Sequence, residues 1–351
     1  MEDIFDYISN YGELSFAEKE FCEIDALVLA QLAYIPFDGI AGPSLRSTLT
    51  IGRAAHRFFD NGNFSGVIWK NDPRLLSAAA ASKRFKSIKI SGYVNEIDER
   101  EKKQFSAVVF TLKKDLRYIA FRGTDHSFVG WEEDFLFYSR STIPSQKRAM
   151  NYFSRISKLI KGRFILGGHS KGGNLALYIY EHCGDELKKR IKAVYNFDGP
   201  SLNKELRCDL IHTFVPQSSV FGIMLNQGED FSIVKCKSTR FNQHDITAWR
   251  IERDDFVYAA QRSSISHYVE RALDDFVSRL TLNERGEFIH ALFKVFRNTG
   301  KNDFDDILKN PTVVISSFLR LNKRRRRVLL RTFGRALKSA GSKIFNRRHY
   351  G

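Results

Sequence analysis

Phe164-Ile165-Leu166-Gly167-Gly168-His169-Ser170-Lys171-Gly172-Gly173-Asn174 carries an apolar run straight into a Gly-x-Ser-x-Gly pattern. A helix-like segment, Asn174-Leu175-Ala176-Leu177-Tyr178-Ile179-Tyr180, follows at once. Strand, sharp turn and helix in that order form the layout of a nucleophile elbow, which holds one serine at the end of a sheet. The turn forces that serine into a strained backbone conformation and presses the flanking motif positions together. Gly168 and Gly172 bring no Cβ to clash there, which gives the spacing its physical reason. The motif assigns a reaction class before it says anything about a substrate.

Upstream of the elbow, Glu23 to Tyr34 reads as a helix stopped by Pro36, and Leu75–Ala81 as part of another. Strand character begins at Ser87–Val94 and strengthens through Gln104–Leu112. The polar turn Lys113-Lys114-Asp115 joins this run to Leu116–Phe121 as a hairpin. A helix over Ser145–Ile160 leads into the elbow strand, and Gly184 stops the helix after it. Further strands are expected at Ile191–Phe197, Ile211–Val215 and Phe231–Cys236. Strands alternating with helices predict an α/β fold, a mainly parallel central sheet covered by helices on both faces. Ser263–Leu280 is expected to be an amphipathic helix, with Ile265, Tyr268, Val269, Ala272, Leu273, Phe276 and Leu280 in one stripe. Asn283-Glu284-Arg285-Gly286 reads as a boundary, dividing the chain into 1–283 and a helical, strongly basic extension over 284–351.

A serine hydroxyl is a poor nucleophile at neutral pH and needs a base within hydrogen-bond reach and donors aimed at the oxyanion. Among the histidines after Ser170, His182 lies on the elbow helix, His212 opens a strand, and His267 flanks the amphipathic helix. His244, in Asn242-Gln243-His244-Asp245, falls in a loop after a strand and is the candidate base. Asp198, in Asn196-Phe197-Asp198-Gly199-Pro200, has the right chain order for the acid. Asp230 and Asp245 are the alternatives, and a turn aspartate is the rival reading of Asp198. The Lys171 amide and Thr124, in Phe121-Arg122-Gly123-Thr124-Asp125, are the expected oxyanion donors.

Tyr118–Thr124, Trp131, Asp134 and Gly168–Gly173 resemble the class 3 (fungal-type) lipase branch of the α/β-hydrolases. A closer resemblance is to a bacterial family of Mbeg-like α/β-hydrolases, a domain of unknown function. It runs through Glu23–Leu27, Ser82–Phe85, Gln104–Ala107, Phe121–Asp125, Gly130-Trp131, Glu133–Phe135, the elbow, Asn196–Pro200, Val215–Ser219 and Gln243–Asp245. The resemblance implies the α/β-hydrolase fold, Ser170 as nucleophile and Thr124 on the oxyanion loop. One departure matters: class 3 lipases carry their acid just after the strand that here ends in Val215-Pro216, where this chain has Gln217-Ser218-Ser219. Either the acid has moved to Asp198 or the triad is incomplete.

These readings predict a serine hydrolase of carboxylic esters, lipid esters among them, acting through Ser170, Asp198 and His244, with no metal or organic cofactor. The net charge of +16 is concentrated in one place. Pro311–Gly351 holds twelve lysines and arginines and no acid, which accounts for all but four of those charges. Leu329, Leu330, Phe333, Leu337, Ala340 and Ile344 recur there at helical spacing. A helix packed on the body with a solvated basic face is the first expectation, peripheral contact with an anionic membrane through Lys323–Arg348 the second, and nucleic acid the weakest. The alternative function is a catalytically degenerate hydrolase-fold module that works through this tail. Four scattered cysteines, an acidic start and no apolar run near 18 residues long predict a cytoplasmic protein.

Overall fold

Eight strands follow one another across a single sheet in chain order: β1 (Leu49–Thr50), β2 (Lys89–Asp98), β3 (Lys103–Lys113), β4 (Leu116–Phe121), β5 (Arg163–His169), β6 (Ile191–Phe197), β7 (Ile211–Pro216) and β8 (Ser232–Val234). β1 runs antiparallel to β2, and β3 to β4, whereas β4 through β8 are all parallel. The computed structural model describes residues 2–62, 64–202, 204–225, 230–300, 307, 310–332 and 334. It divides into two units, one of Met1–Glu96, Phe105–Gly123 and Ser145–Ser266, the other of Ile97–Gln104, Thr124–Pro144 and His267–Gly351.

The first unit has the expected α/β architecture. The alternation of strand side chains sorts its core into two layers. Phe110, Tyr118, Ala120, Ile165, Tyr195 and Phe197 pack against the helices α1 (Ile4–Tyr11), α2 (Glu23–Leu32), α3 (Ile51–Asn61) and α4 (Asp72–Ala81). On the other face Val109, Ile119, Phe121, Phe164, Leu166 and Val194 cluster with side chains of Pro144–Leu159 and Lys171–His182. Burial on both faces explains why the parallel strands read as continuous apolar runs instead of alternating ones. Each fully buried large side chain contributes roughly 1.5–3 kcal/mol.

α2 is buried along almost its whole length, Asp25 included. The Arg84 guanidinium, on the short helix α5 (Lys83–Lys86), donates to Asp25 Oδ1 at 2.7 Å and to Oδ2 at 2.5 Å. The remaining Arg84 donors reach the carbonyls of Leu14, Lys19 and Glu20, and the Tyr7 hydroxyl adds a 2.9 Å bond to Asp25. Two of the stretches that carry the family resemblance therefore meet as one ion pair. α1 itself was not legible as a helix: its start reads as merely acidic, yet Asp3 and Asp6 form a capping box.

The second unit contains α6 (Phe128–Leu136), whose Phe135 meets Phe293 edge to face at 5.4 Å. The segment from 144 continues as α7 (Pro144–Leu159), and α8 (Lys171–His182), α9 (Asp185–Lys188) and α10 (Ser264–Ser278) follow in the chain. The expected boundary at 283/284 falls inside a helix, α11 (Leu282–Arg297). Thr281 caps it and Glu284 closes the capping box, so the polar residues read as a break are a helix start. The stripe expected on α10 holds only towards its end, where Val269, Leu273 and Phe276 are half-buried and Leu280 is buried. Ile265, Tyr268 and Ala272 face outward, and the buried residue near its start is Ser266, whose hydroxyl donates to the Ser219 carbonyl at 2.6 Å.

Beyond α11 come α12 (Pro311–Leu319) and a helix over 323–332. Leu329 is buried, and its neighbour Leu330 is exposed. Phe333, Leu337, Ala340 and Ile344 lie outside the described residues. Arg324 pairs with Glu287 of α11 at 2.7 Å. Among the described residues no helix is long and apolar enough to cross a membrane.

Candidate active site

Parallel strands leave their C-terminal ends side by side, and that is where the chemistry-bearing residues of the first unit lie. β5 and β6 pair through His169 and Phe197, so Ser170 and Asp198 are the next residue on each strand. Ser170 donates its amide to the Phe197 carbonyl at 2.9 Å, and Asp198 donates its own to Phe214, one strand further, at 2.8 Å. Ser170 has φ 58° and ψ −133° and opens α8 as its N-cap. Asp198 also has a positive φ, 51°. Non-glycine residues avoid such conformations at a cost of about 1–3 kcal/mol, and they persist where surrounding structure enforces them.

The glycines supply that enforcement. A Cβ on Gly168 or on Gly172 would overlap the Phe121 carbonyl oxygen, and one on Gly173 would overlap Asn196 Oδ1. Backbone from β4 and β5 and the Asn196 side chain of β6 are packed against the turn with no room for a side chain, as the Gly-x-Ser-x-Gly spacing predicts.

His244 ends a short 3-10 turn, Arg240–His244, and its Nδ1 lies 2.6 Å from Asp198 Oδ2. Asp198 is fully buried, and its other oxygen accepts the Ser219 hydroxyl at 2.5 Å and the Gly222 amide at 3.1 Å. The Gln217–Ser219 segment, where the class 3 pattern would have an acid, thus supplies a donor, the Ser219 hydroxyl, to an acid that sits one strand earlier. The turn bearing His244 is pinned as well. Gln243 Oε1 accepts the Ser218 amide at 2.7 Å, and the Trp249 indole donates to the Gln243 carbonyl at 2.9 Å. An imidazole whose Nδ1–H is committed to a carboxylate presents Nε2 as its acceptor.

Aromatic rings wall the imidazole in. The His244 ring centroid is 4.3 Å from Phe221, 4.4 Å from His169 and 6.1 Å from Trp69. His169, the residue before the serine, is itself anchored by the Tyr34 hydroxyl at 2.9 Å from Nδ1. Burial first, and the neighbouring His244 second, hold the His169 imidazole well below the usual histidine range. Behind Trp69, Asp72 accepts from Gln31 at 2.5 Å and from the Trp69 amide at 3.3 Å. Burial pushes the Asp72 carboxyl up to about 7, with a smaller push from Asp245.

The alternatives for the acid have other places. Asp245 caps the next turn by accepting the Thr247 amide at 2.9 Å and its hydroxyl at 2.7 Å, and Asp230 is exposed ahead of β8. Lys171, the first residue of α8, is buried next to Ser170. Thr124 belongs to the second unit, where its hydroxyl donates to Asp134 at 2.6 Å. Gly123, the last residue of its segment in the first unit, packs tightly: an added Cβ would lie 2.9 Å from Ser170 Cβ. Among the described residues, no group of three or more His, Cys, Asp or Glu side chains is spaced to hold a metal ion.

A family model described as Mbeg1-like matches residues 79–294, more than half of the chain. The chain belongs to the Mbeg1-like family. The matched span takes in Ser170, Asp198 and His244 and leaves out Asp25 and the basic end. No curated protein matches the chain. Within this Mbeg1-like chain, Ser219, Gly222, Gln243, Tyr34 and Trp69 are the site residues that sequence reading did not single out. Ser219 and Gln243 stood inside stretches quoted for the resemblance, which was the available signal.

Proposed function

We propose that this protein is a serine hydrolase of the lipase/esterase type, built on an α/β-hydrolase fold and related to class 3 lipases. The observation that carries the reading is the 2.6 Å bond between His244 Nδ1 and Asp198 Oδ2, made where β6 ends beside the strained Ser170. Chain order supports it, since serine, acid and histidine follow one another as in that fold.

In this reading Ser170 Oγ attacks the acyl carbon of a carboxylic ester and His244 Nε2 takes the hydroxyl proton. Asp198 fixes the imidazole orientation and stabilises the imidazolium, while Ser219 and Gly222 keep the carboxylate aimed. The Lys171 amide, at the positive end of α8, supplies an oxyanion donor. His244 returns the proton to the departing alkoxide, and water then releases the acyl group from Ser170 by the same relay. The first test is labelling with a fluorophosphonate probe, followed by hydrolysis of p-nitrophenyl esters of graded chain length. Labelling of the intact protein no greater than that of Ser170→Ala removes the nucleophile assignment.

A second reading, of a catalytically degenerate module bound at an anionic membrane, is favoured by one observation. Ile315, Leu319 and Leu330 are 59%, 60% and 61% exposed, and Arg320, Lys323 and Arg327 are exposed in the same stretch. Apolar and cationic groups side by side suit an interface of acyl chains and anionic headgroups, in keeping with a cytoplasmic protein held peripherally. Cosedimentation with phosphatidylglycerol vesicles in the absence of any turnover selects this reading over the enzyme.

A further inference from the structure

Within the second unit, the turn between β2 and β3, α6 and α11 line a cavity of about 480 Å³, within the size range of small-molecule sites. Its acids are already spoken for. Glu132 is fully buried, with Lys102 on one carboxylate oxygen and Arg297 on the other. Glu287 is held by Arg324 at 2.7 Å. The bases are not used up to the same degree. Arg140, exposed in the lining, makes no side-chain hydrogen bond or ion pair among the described residues. Among the described residues the Arg325 side chain reaches only the His290 ring, at 3.3 Å.

His290, also in the lining, reports the local field. Burial first, then the charges of Lys102 and Arg325, push it below the usual histidine range, against a smaller opposing pull from Glu132. A neutral ring that shares the lining with Arg140 can donate a hydrogen bond to an anion and gain a proton when one arrives. Leu136, Leu282 and Ile289 supply an apolar wall beside these groups.

We infer that this cavity binds an amphiphilic anion, a carboxylate or phosphate headgroup held by Arg140 and His290 with a short apolar chain along Leu136, Leu282 and Ile289. A cationic ligand has no uncommitted acid to meet. A bare inorganic anion leaves the apolar wall unused. The site is independent of Ser170 and does not require the chain to be a hydrolase.

Titration calorimetry on the full chain, with decanoate, decyl phosphate, inorganic phosphate and decyltrimethylammonium as probes, tests the inference. One or both decyl anions should bind at one per chain, and whichever binds identifies the headgroup. Arg140→Ala should weaken that binding about tenfold or more, the loss of one charge-assisted hydrogen bond. Arg46→Ala, an exposed arginine of the first unit, should leave it unchanged. His290→Glu, which reverses the field at an exposed position, provides a second variant should the first fail to fold. Leu282→Ser should weaken the decyl anions severalfold and leave inorganic phosphate unaffected. Equal affinity for decyltrimethylammonium, equal affinity for inorganic and decyl phosphate, or changes under twofold in both Arg140→Ala and His290→Glu overturn the proposal.

Discussion

Asp25 and Asp198 are both fully buried carboxylates of the first unit, and they are satisfied in opposite ways. Asp25 meets a bidentate guanidinium, whose charge is permanent, with a tyrosine hydroxyl and the Cys22 amide filling its remaining valences. Asp198 meets a hydroxyl, a backbone amide and an imidazole. Its one ionisable partner is that imidazole, and neutral donors hold it still. A buried acid locked to arginine ties helices together. A buried acid locked to hydroxyl and amide, and left to face a histidine, is set up for proton traffic. The difference in partners, more than burial, separates scaffold from site.

The contrast breaks first on activity. Ser170→Ala should lower ester turnover by about 10⁴-fold or more, and Asp198→Asn by about 10⁴-fold through loss of the imidazole orientation. Both should leave the urea midpoint close to wild type. If Asp198→Asn retains turnover within tenfold of wild type, the acid assignment is wrong.

Asp25→Ala should do the reverse. Removing one partner leaves Arg84 buried and uncompensated, at a cost of about 3–5 kcal/mol in urea unfolding. Turnover per folded molecule should be unchanged. A third buried carboxyl, Asp72, sharpens the comparison because it has neither a cation nor an imidazole as partner. Its folded-state value is raised to about 7, so the folded protein keeps a proton that the unfolded chain has released. Stability should therefore fall as pH rises from about 4 to about 7, by a few kcal/mol at most. Asp72→Asn should flatten that slope in unfolding curves taken at several pH values. The smallest effect is expected at Ser219→Ala, which removes one of the donors on Asp198 and should cost about tenfold in kcat/KM. Its stability loss should stay near 1 kcal/mol, since Gly222 still holds the same oxygen.

The elbow was legible because its glycines answer to local crowding, which a spacing can express. Asp198 and His244 were legible through chain order, a coarser signal that left Asp230 and Asp245 open. Ser219 was read only as a missing acid. A donor is recognised by the acceptor it meets, and that acceptor sits on another strand. The Asp25–Arg84 pair escaped for the same reason, although both stretches had been quoted. The outward first half of the α10 stripe, Ile265, Tyr268 and Ala272, misled because helical periodicity reports a face and not which way it points. Asn283–Gly286 misled because a helix start closed by a capping-box glutamate uses the same polar residues as a boundary loop.

The second unit is assembled from pieces that leave the ribosome far apart in time. Its early segments, Ile97–Gln104 and Thr124–Pro144, are made well before the part that begins at His267. At roughly 5–20 residues per second, α6 waits on the order of ten seconds for α11. During that wait Glu132 has Lys102 within reach but not Arg297, and Phe135 lacks Phe293. A nascent chain stalled before His267 therefore exposes half an unfinished core, which gives chaperones and proteases an early place to act.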